Sequence, residues 1–416
     1  MRSLLSSALA FGCVVMLLPV LSTGTATADD LKWERIKLDP VFRSEGVAVG
    51  DINRDGKMDV INGEAWYEAP AWTMHPIRKL GDYADGAGGY SHSFANWTYD
   101  LNGDGWTDLI CIDFPGVPCY WFENPKGQEG EWKQHEIWHS AANETPQFLD
   151  VTGDGRPELI FASEETKDKT EGMYGYLEIP AGDKVYEKWT FTAISPENLG
   201  AVTHRYYHGL GVGDINKDGR LDIVIPHGWW EGPPREKLGQ GLWTFHPHFL
   251  TVDGKEGHLA AADLHIDDLD LDGDNDIMMS SAHQRGVWWF ENTGTNAEPK
   301  FEYRIISDAV SQTHALHYVD MNGDGQKDLV TGKRWWAHGP KGDDYPNVDP
   351  LMIWYEMHRE KGSPPRFIPH IIAESLGTGM GTQFAVADVN GDKVPDIILS
   401  NKKGTNVILQ RPRASR

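Results

Sequence analysis

Short apolar runs punctuate this chain at intervals of about fifty residues, and a polar nine-residue stretch precedes each of them. The runs are Val60-Ile61-Asn62, Leu109-Ile110-Cys111, Leu159-Ile160-Phe161, Ile223-Val224-Ile225, Ile277-Met278-Met279, Leu329-Val330-Thr331 and Ile397-Ile398-Leu399. Apolar runs this short, bounded by Gly- and Asp-rich turns, read as buried strands, and helical spacing is nearly absent. A first strand, A, ends just before each polar stretch, as in residues 208–213, and the apolar run is strand B. Strand C is aromatic, as in Trp66-Tyr67-Glu68, Tyr120-Trp121-Phe122, Trp229-Trp230-Glu231, Trp288-Trp289-Phe290 and Trp354-Tyr355-Glu356. Strand D starts on an aromatic residue, at 72–80, 132–139, 189–194, 243–250, 301–306 and 367–372.

A seventh D-type segment, Trp33 to Leu38, lies before the first A strand, and the last unit ends after its C strand, Asn406 to Leu409. The N-terminal strand is therefore expected to complete the last unit, which leaves no free sheet edge. The polar stretches begin 49, 50, 64, 54, 52 and 68 residues apart. Four strands per unit at that period predict an all-β fold, a seven-bladed β-propeller closed by the N-terminal strand. One domain is expected over residues 29–416.

The polar stretches follow the pattern Asp-x-Asn-x-Asp-Gly-x-x-Asp with small variations. Their oxygen-bearing positions are Asp51, Asn53, Asp55 and Asp59; Asp100, Asn102, Asp104 and Asp108; Asp150, Thr152, Asp154 and Glu158; Asp214, Asn216, Asp218 and Asp222. The series continues with Asp268, Asp270, Asp272 and Asp276; Asp320, Asn322, Asp324 and Asp328; Asp388, Asn390, Asp392 and Asp396. Hard oxygen ligands at positions one, three, five and nine suit Ca²⁺, and a glycine at position six permits the sharp turn. The loop at Asp388 carries Lys393 in place of that glycine and is expected to hold its ion least well.

Net charge is −24, and seven Ca²⁺ would supply +14 (7 × 2), so much of the acidity belongs to the loops. That balance argues against nucleic acid and anionic membrane surfaces as partners. Residues 1–28 read as a signal peptide: Arg2, a mostly apolar stretch from Leu4 to Leu21, and Ala26-Thr27-Ala28 as a small-x-small cleavage site. A secreted or periplasmic protein with no membrane span in the mature chain is expected. Cys111 and Cys119 flank a hairpin-like turn, and a bridge and two buried thiols both remain open.

The loops join A to B, so all of them lie on one face of the expected ring. The starts of A and the ends of B lie on the other, around the central funnel. Starts of A bring Glu45, Tyr90, His92, Glu144, Tyr207, His208, His258, His314 and Gln383. Ends of B bring Glu64, Asp113, Glu164, His227, His283, Arg285, Lys333, Arg334 and Asn401. Any single histidine on a strand commonly serves only to satisfy backbone groups, but six at one mouth point to a site. His208, His227 and His314 with Glu45 form a donor set suited to Zn²⁺ or Mn²⁺. Lys333 and Arg334 are suited to holding a carboxylate or an enolate. His208, His314, His283 and Tyr207 are the acid–base candidates. His92, Tyr90, His258, Arg285 and Gln383 are expected to contact substrate. This is the equipment of β-elimination, used in sugar dehydration and in cleavage of uronate polysaccharides. No serine elbow, Cys–His pair or phosphate-binding glycine loop stands out.

Through its Asp-x-Asn-x-Asp-Gly-x-x-Asp loops the chain resembles the FG-GAP family of calcium-loop propeller repeats over nearly all of its mature length. Residues 208–216, 228–231, 311–317 and 331–339 are also similar to the propeller domain of the aldos-2-ulose dehydratase group, whose cupin domains this chain lacks. That likeness implies a reaction class only: a secreted carbohydrate-active lyase or dehydratase. The alternative is a calcium-dependent propeller that binds glycan or protein without catalysis, since fold does not set function.

Overall fold

The computed structural model describes residues 31–411 except 88, 165–171, 198, 249 and 252–259; the expected signal peptide and His258 lie outside the described residues. The described chain is all β, interrupted only by short 3₁₀ turns. The apolar run after each polar loop forms a fully buried strand, as at Asp222–Ile225 and Asp396–Asn401. Each pairs with the short strand before its loop and with the aromatic strand after it, so one hairpin encloses each loop.

Three sheets have four strands; a seven-stranded and an eight-stranded sheet are each assembled from such groups. In the seven-stranded sheet the strand Lys133–Leu149 is shared, pairing with Val117–Glu123 through its first part and with Glu158–Glu164 through its second. In the eight-stranded sheet two groups meet through a parallel contact, Leu210 opposite Asp263. The N-terminal strand Lys32–Asp39 lies antiparallel to Gly404–Arg411, with Trp33 opposite Gln410 and Ile36 opposite Val407.

Strands preceding the loops touch one another in chain order. Thr98 Oγ1 donates to Val49 O at 2.6 Å, and Phe148 packs between Trp97 and Tyr99. Gln147 Nε2 donates to Leu210 O, His265 Nε2 to Leu316 O and His317 Nε2 to Phe384 O. The last group returns to the first, where Thr382 N donates to Glu45 O at 2.9 Å. His265 and His317 are thus ties between neighbouring groups. Core clusters also span two groups each: Ile160 and Tyr174 pack with Leu210 and Trp230, and Val60 and Tyr67 with Ile398 and Val407. Fully buried aliphatic and aromatic side chains of this size contribute about 1.5–3 kcal/mol each.

Cys111 and Cys119 are both free and buried. Ile112 lies opposite Cys119 in the hairpin, so Cys111 points to the other face. The two thiols enter different core clusters, which leaves them without a route to a bridge.

Each loop's ninth residue does structural work that its place in the calcium pattern did not suggest. Asp222 Oδ2 accepts from Ile215 N at 2.9 Å, and its Oδ1 accepts from Gly232 N at 2.9 Å. Asp59, Asp108, Asp276, Asp328 and Asp396 make the same pair of bonds, to loop position two and to the end of strand C. These buried carboxylates staple each loop to its sheet.

Candidate functional site

On the face opposite the loops, four side chains converge from four parts of the chain. Glu144 leaves the long strand at a kink where Asn143 takes a left-handed φ of 73°. Asparagine tolerates that conformation, and here Thr145 N donates to its Oδ1 at 2.7 Å while its Nδ2 donates to Tyr174 OH at 2.9 Å. Glu144 N also donates to Tyr207 O, which brings the 205–208 segment alongside. His208 stands one residue before Gly209, where φ is +94° and a Cβ would meet Pro226 and Ala261 within 2.9 Å. His314 precedes the strand His317–Val319, and His283 lies in the turn before Arg285–Asn292.

Glu144 Oε2 is 3.2 Å from His208 Nε2 and 3.2 Å from His314 Nε2. His283 Nε2 is 3.1 Å from His208 Nε2. His314 is fully buried, and its Nδ1 is 3.2 Å from Thr382 O. A carbonyl only accepts, so Nδ1 carries the proton and the neutral ring presents a lone pair from Nε2. Burial, then the nearby Arg334, hold the His314 imidazole down at about 3, so it is neutral. Burial would raise the Glu144 carboxyl, but His208 at 3.2 Å outweighs it and holds the group well below the usual carboxylate range. A lone pair and a carboxylate oxygen at 3.2 Å require a cation or a proton between them. Tetrahedral Zn²⁺ with bonds of about 2.0–2.1 Å sets its ligands roughly 3.3 Å apart. Glu144 stands at that spacing from both His208 and His314, and the three are the residues able to hold such an ion.

The cluster opens into a cavity of about 530 Å³. Tyr90, Phe94, Phe114 and Tyr206 form one aromatic patch on its lining, with ring centroids 5.4–5.7 Å apart. Glu144, His208, His283 and His338 supply its polar lining. Deeper in, Arg334 is 3% exposed and neither its Nε nor its Nη1 has a hydrogen-bond partner among the described residues. Lys402 Nζ lies 4.5 Å over the Tyr90 ring and 3.9 Å from Glu45. Burial, then Arg334, lowers Lys333 to about 8, and its Nζ donates to Arg334 O at 3.1 Å.

Several expected residues sit elsewhere. His227 bonds through Nδ1 to Tyr207 OH, and Glu45 faces Lys402, so neither stands in the cation-capable trio; Glu144 takes the carboxylate position. Tyr207 is fully buried in the core with its hydroxyl pushed well above its ordinary range by burial; its neighbour Tyr206 lines the cavity instead. Gln383 is consumed in bonds to Asn96 N and O. Arg285 donates to Asp308 O and covers Tyr345, and exposed His92 pairs with Asp113 at 3.1 Å. Tyr90 does line the cavity, its hydroxyl donating to Ala337 O. His338 and Asp343 were missed: they come from the long segment between Asp328–Lys333 and Leu351–His358, which has no strand period.

On the opposite face the loop oxygens gather. Asp150, Asp154 and Glu158 bring oxygens within 4.8 Å of one another, and Asp268, Asp270 and Asp272 do the same. This loop-and-strand unit matches the FG-GAP-like repeat family at residues 100–161 and 268–331. The chain carries FG-GAP-like repeats. Among solved structures, it is similar to an Agrocybe aegerita lectin described as recognising non-reducing terminal N-acetylglucosamine, with 15% identity and a TM-score of 0.44, covering 92% of this chain and 86% of the lectin. It is similar to BBS1N, solved in complex with ARL6DN, with 11% identity and a TM-score of 0.46 over 91% of this chain and 96% of that one. The V. cholerae biofilm matrix protein Bap1 is similar with 11% identity and a TM-score of 0.36, over 90% of this chain and 81% of its own. No curated protein matches the chain significantly. No helix among the described residues is long and apolar enough to cross a membrane.

Proposed function

We propose that this FG-GAP-like repeat protein is a secreted carbohydrate-active lyase or dehydratase, acting by β-elimination in the funnel cavity of a calcium-loop propeller. The observation that carries the reading is the convergence of Glu144, His208 and His314 beside an aromatic-lined cavity. A seven-bladed ring in one domain, residues 29–416, is supported by the chain-order contacts between A strands and by the N-terminal strand beside Gly404–Arg411. Calcium in the loops is supported by carboxylates gathered within 4.8 Å, which repel one another unless a cation lies among them.

The chemistry divides among the chain's own residues. The rings of Tyr90, Phe114 and Tyr206 stack against a sugar. In elimination a base on the cavity wall takes a proton beside a carbonyl or carboxyl group, the carbon–carbon double bond forms, and the bond to the neighbouring oxygen breaks as that proton is returned to the leaving oxygen. Tyr206, whose ring lines the cavity, takes the proton transfer first expected of Tyr207. The buried charges of Arg334, Lys333 and Lys402 favour the developing oxyanion. Zn²⁺ or Mn²⁺ held by Glu144, His208 and His314 would supply Lewis acidity toward a substrate oxygen.

The test is direct, because elimination yields an ultraviolet-absorbing unsaturated sugar. Calcium-loaded protein is incubated with a panel of uronate polysaccharides and keto-sugars. Absorbance should rise with wild type and not with His208→Ala or Tyr206→Phe of unchanged melting temperature. The aromatic patch also favours a second reading, a calcium-dependent glycan- or protein-binding propeller without catalysis. Glycan binding with no unsaturated product across the panel would establish that one instead.

A further inference from the structure

His283 has two ring nitrogens, and each faces a different cluster. Its Nε2 meets His208 at 3.1 Å, on the side of the Glu144–His208–His314 trio. Its Nδ1 meets Asp343 Oδ1 at 3.1 Å, and His338 Nδ1 lies 2.9 Å from that same oxygen. The buried Nδ1 of His283 is nevertheless off the line of a hydrogen bond to Asp343. Three ligand-type atoms thus converge within 4.8 Å on the rim of the cavity.

The segment that delivers Asp343 and His338 is built to hold them there. Ser311 Oγ and Gln312 Nε2 both donate to Asp344 O, at 3.0 and 2.9 Å, and Gln312 Oε1 accepts from Ala337 N at 3.1 Å. Asp344 N donates to His283 O, which ties the segment to the turn carrying the shared ring. Asp343 takes a left-handed φ of 45°, a costly conformation for a residue with a side chain and one that surrounding contacts must impose. The Asp343 side chain is 7% exposed whereas that of His338 is 53% exposed, so the trio has a buried anion and an open side.

We propose that His283, His338 and Asp343 form a second divalent-cation site, joined to the Glu144–His208–His314 site through the His283 ring. The donor set of two imidazoles and one carboxylate selects an imidazole-preferring ion such as Zn²⁺ or Co²⁺ over Ca²⁺. Three protein ligands with an accessible fourth side is the arrangement of ion sites that accept an exogenous ligand. The proposal deepens the cation reading of the funnel, but its residues are separable from that trio.

The experiment counts ions. Chelated full-length protein is restored with excess Ca²⁺ to fill the loops, then loaded with Zn²⁺, passed over a desalting column and measured for zinc per chain by mass spectrometry. Wild type should hold two Zn²⁺ per chain. Asp343→Asn and His338→Ala should each hold one, His314→Ala should hold one, and His314→Ala with His338→Ala should hold none. Loading with Co²⁺ gives visible absorption bands that should fall by about half in each single variant. One zinc per wild-type chain that His338→Ala leaves in place would overturn the rim site while sparing the funnel trio. One zinc lost in both His314→Ala and His338→Ala would mean a single shared ion and would also overturn it. Two zinc ions reduced by His338→Ala but untouched by His314→Ala would uphold the rim site and refute the funnel trio. No zinc in any form would refute both. Thermal melts in Ca²⁺ confirm that each variant is folded.

Discussion

His314 Nε2 and Glu144 Oε2 face each other across 3.2 Å, and the only proton on the neutral His314 ring is spent on Thr382 O. Two electron pairs at that separation are repulsive in a buried setting. Glu144→Gln should therefore relieve apo-protein repulsion while abolishing ion binding at the Glu144–His208–His314 trio. Titrating Zn²⁺ into calcium-saturated protein should raise the melting temperature of wild type. The same titration should raise Glu144→Gln and His314→Ala by less than wild type, through the rim site alone, with affinity at the Glu144–His208–His314 trio lowered by about 100-fold. An equal zinc-dependent rise in all three proteins would remove Glu144 and His314 from the ligand set.

The ninth-position carboxylates make a separable prediction about the loops. Asp328 is fully buried and accepts from Met321 N and Met357 N, whereas Asp320, at the loop's first position, accepts from the amides of Gly323, Asp324 and Gly325 in its own loop. Asp328→Ala strands two buried donors and should cost about 2–4 kcal/mol whether or not Ca²⁺ is present. Asp320→Ala should cost most of its stability only in Ca²⁺, bringing wild-type and variant melting curves together in EDTA. Identical calcium dependence in the two variants would mean that the first and ninth positions do the same job.

The repeat was legible because everything that defines it is local: nine residues of loop, a buried strand, then an aromatic strand. Even the pairing of Trp33 with the last unit follows from strand order. The site was legible in part, for the same reason. His208, His283 and His314 are counted out by their offset from the loops. Choosing Glu144 over Glu45 was not possible from offsets, because both begin A strands and their neighbours across the cavity decide which carboxylate meets imidazoles. Glu45 meets Lys402 and Arg334 instead, and burial raises it. Tyr206 and Tyr207 differ by one residue, and the turn there sends the first to the cavity and the second to the core. His338 and Asp343 sit in a segment with no period, so nothing in its pattern marked them.

His265 predicts the acid limb of the stability curve. It is enclosed between strands, with Leu316 O on its Nε2, the Tyr318 ring 6.0 Å away, and His317 and Lys327 each disfavouring its charged form. Burial lowers it to about 4. A folded-state value below the unfolded 6.5 means the neutral form is native, so its contribution is intact above about pH 6.5. It is lost as pH falls toward 4, up to about 3 kcal/mol. His265→Gln can still donate to Leu316 O and should flatten the loss of stability between pH 6.5 and 4 in saturating Ca²⁺. A variant curve parallel to wild type over that interval would show that His265 does not control it.

The sixth loop position offers a stabilising substitution. Gly56, Gly105, Gly155, Gly219, Gly273 and Gly325 all take positive φ, between 84° and 112°. Lys393 occupies the same place at φ 69° and donates its amide to Asp388 Oδ2 at 2.7 Å, as the glycines do to their first aspartates. The backbone therefore overrides the side chain, at a cost of about 1–2 kcal/mol for a left-handed residue with a Cβ. Its ammonium also adds a positive charge to a loop built for a cation. Lys393→Gly should remove both penalties, so the variant should melt higher than wild type in EDTA by the backbone term. The gap should widen in Ca²⁺, because the charge penalty applies only when the ion is bound. A gap of the same size in EDTA and in Ca²⁺ would confine the effect to the backbone and leave the Asp388 loop without an ion of its own.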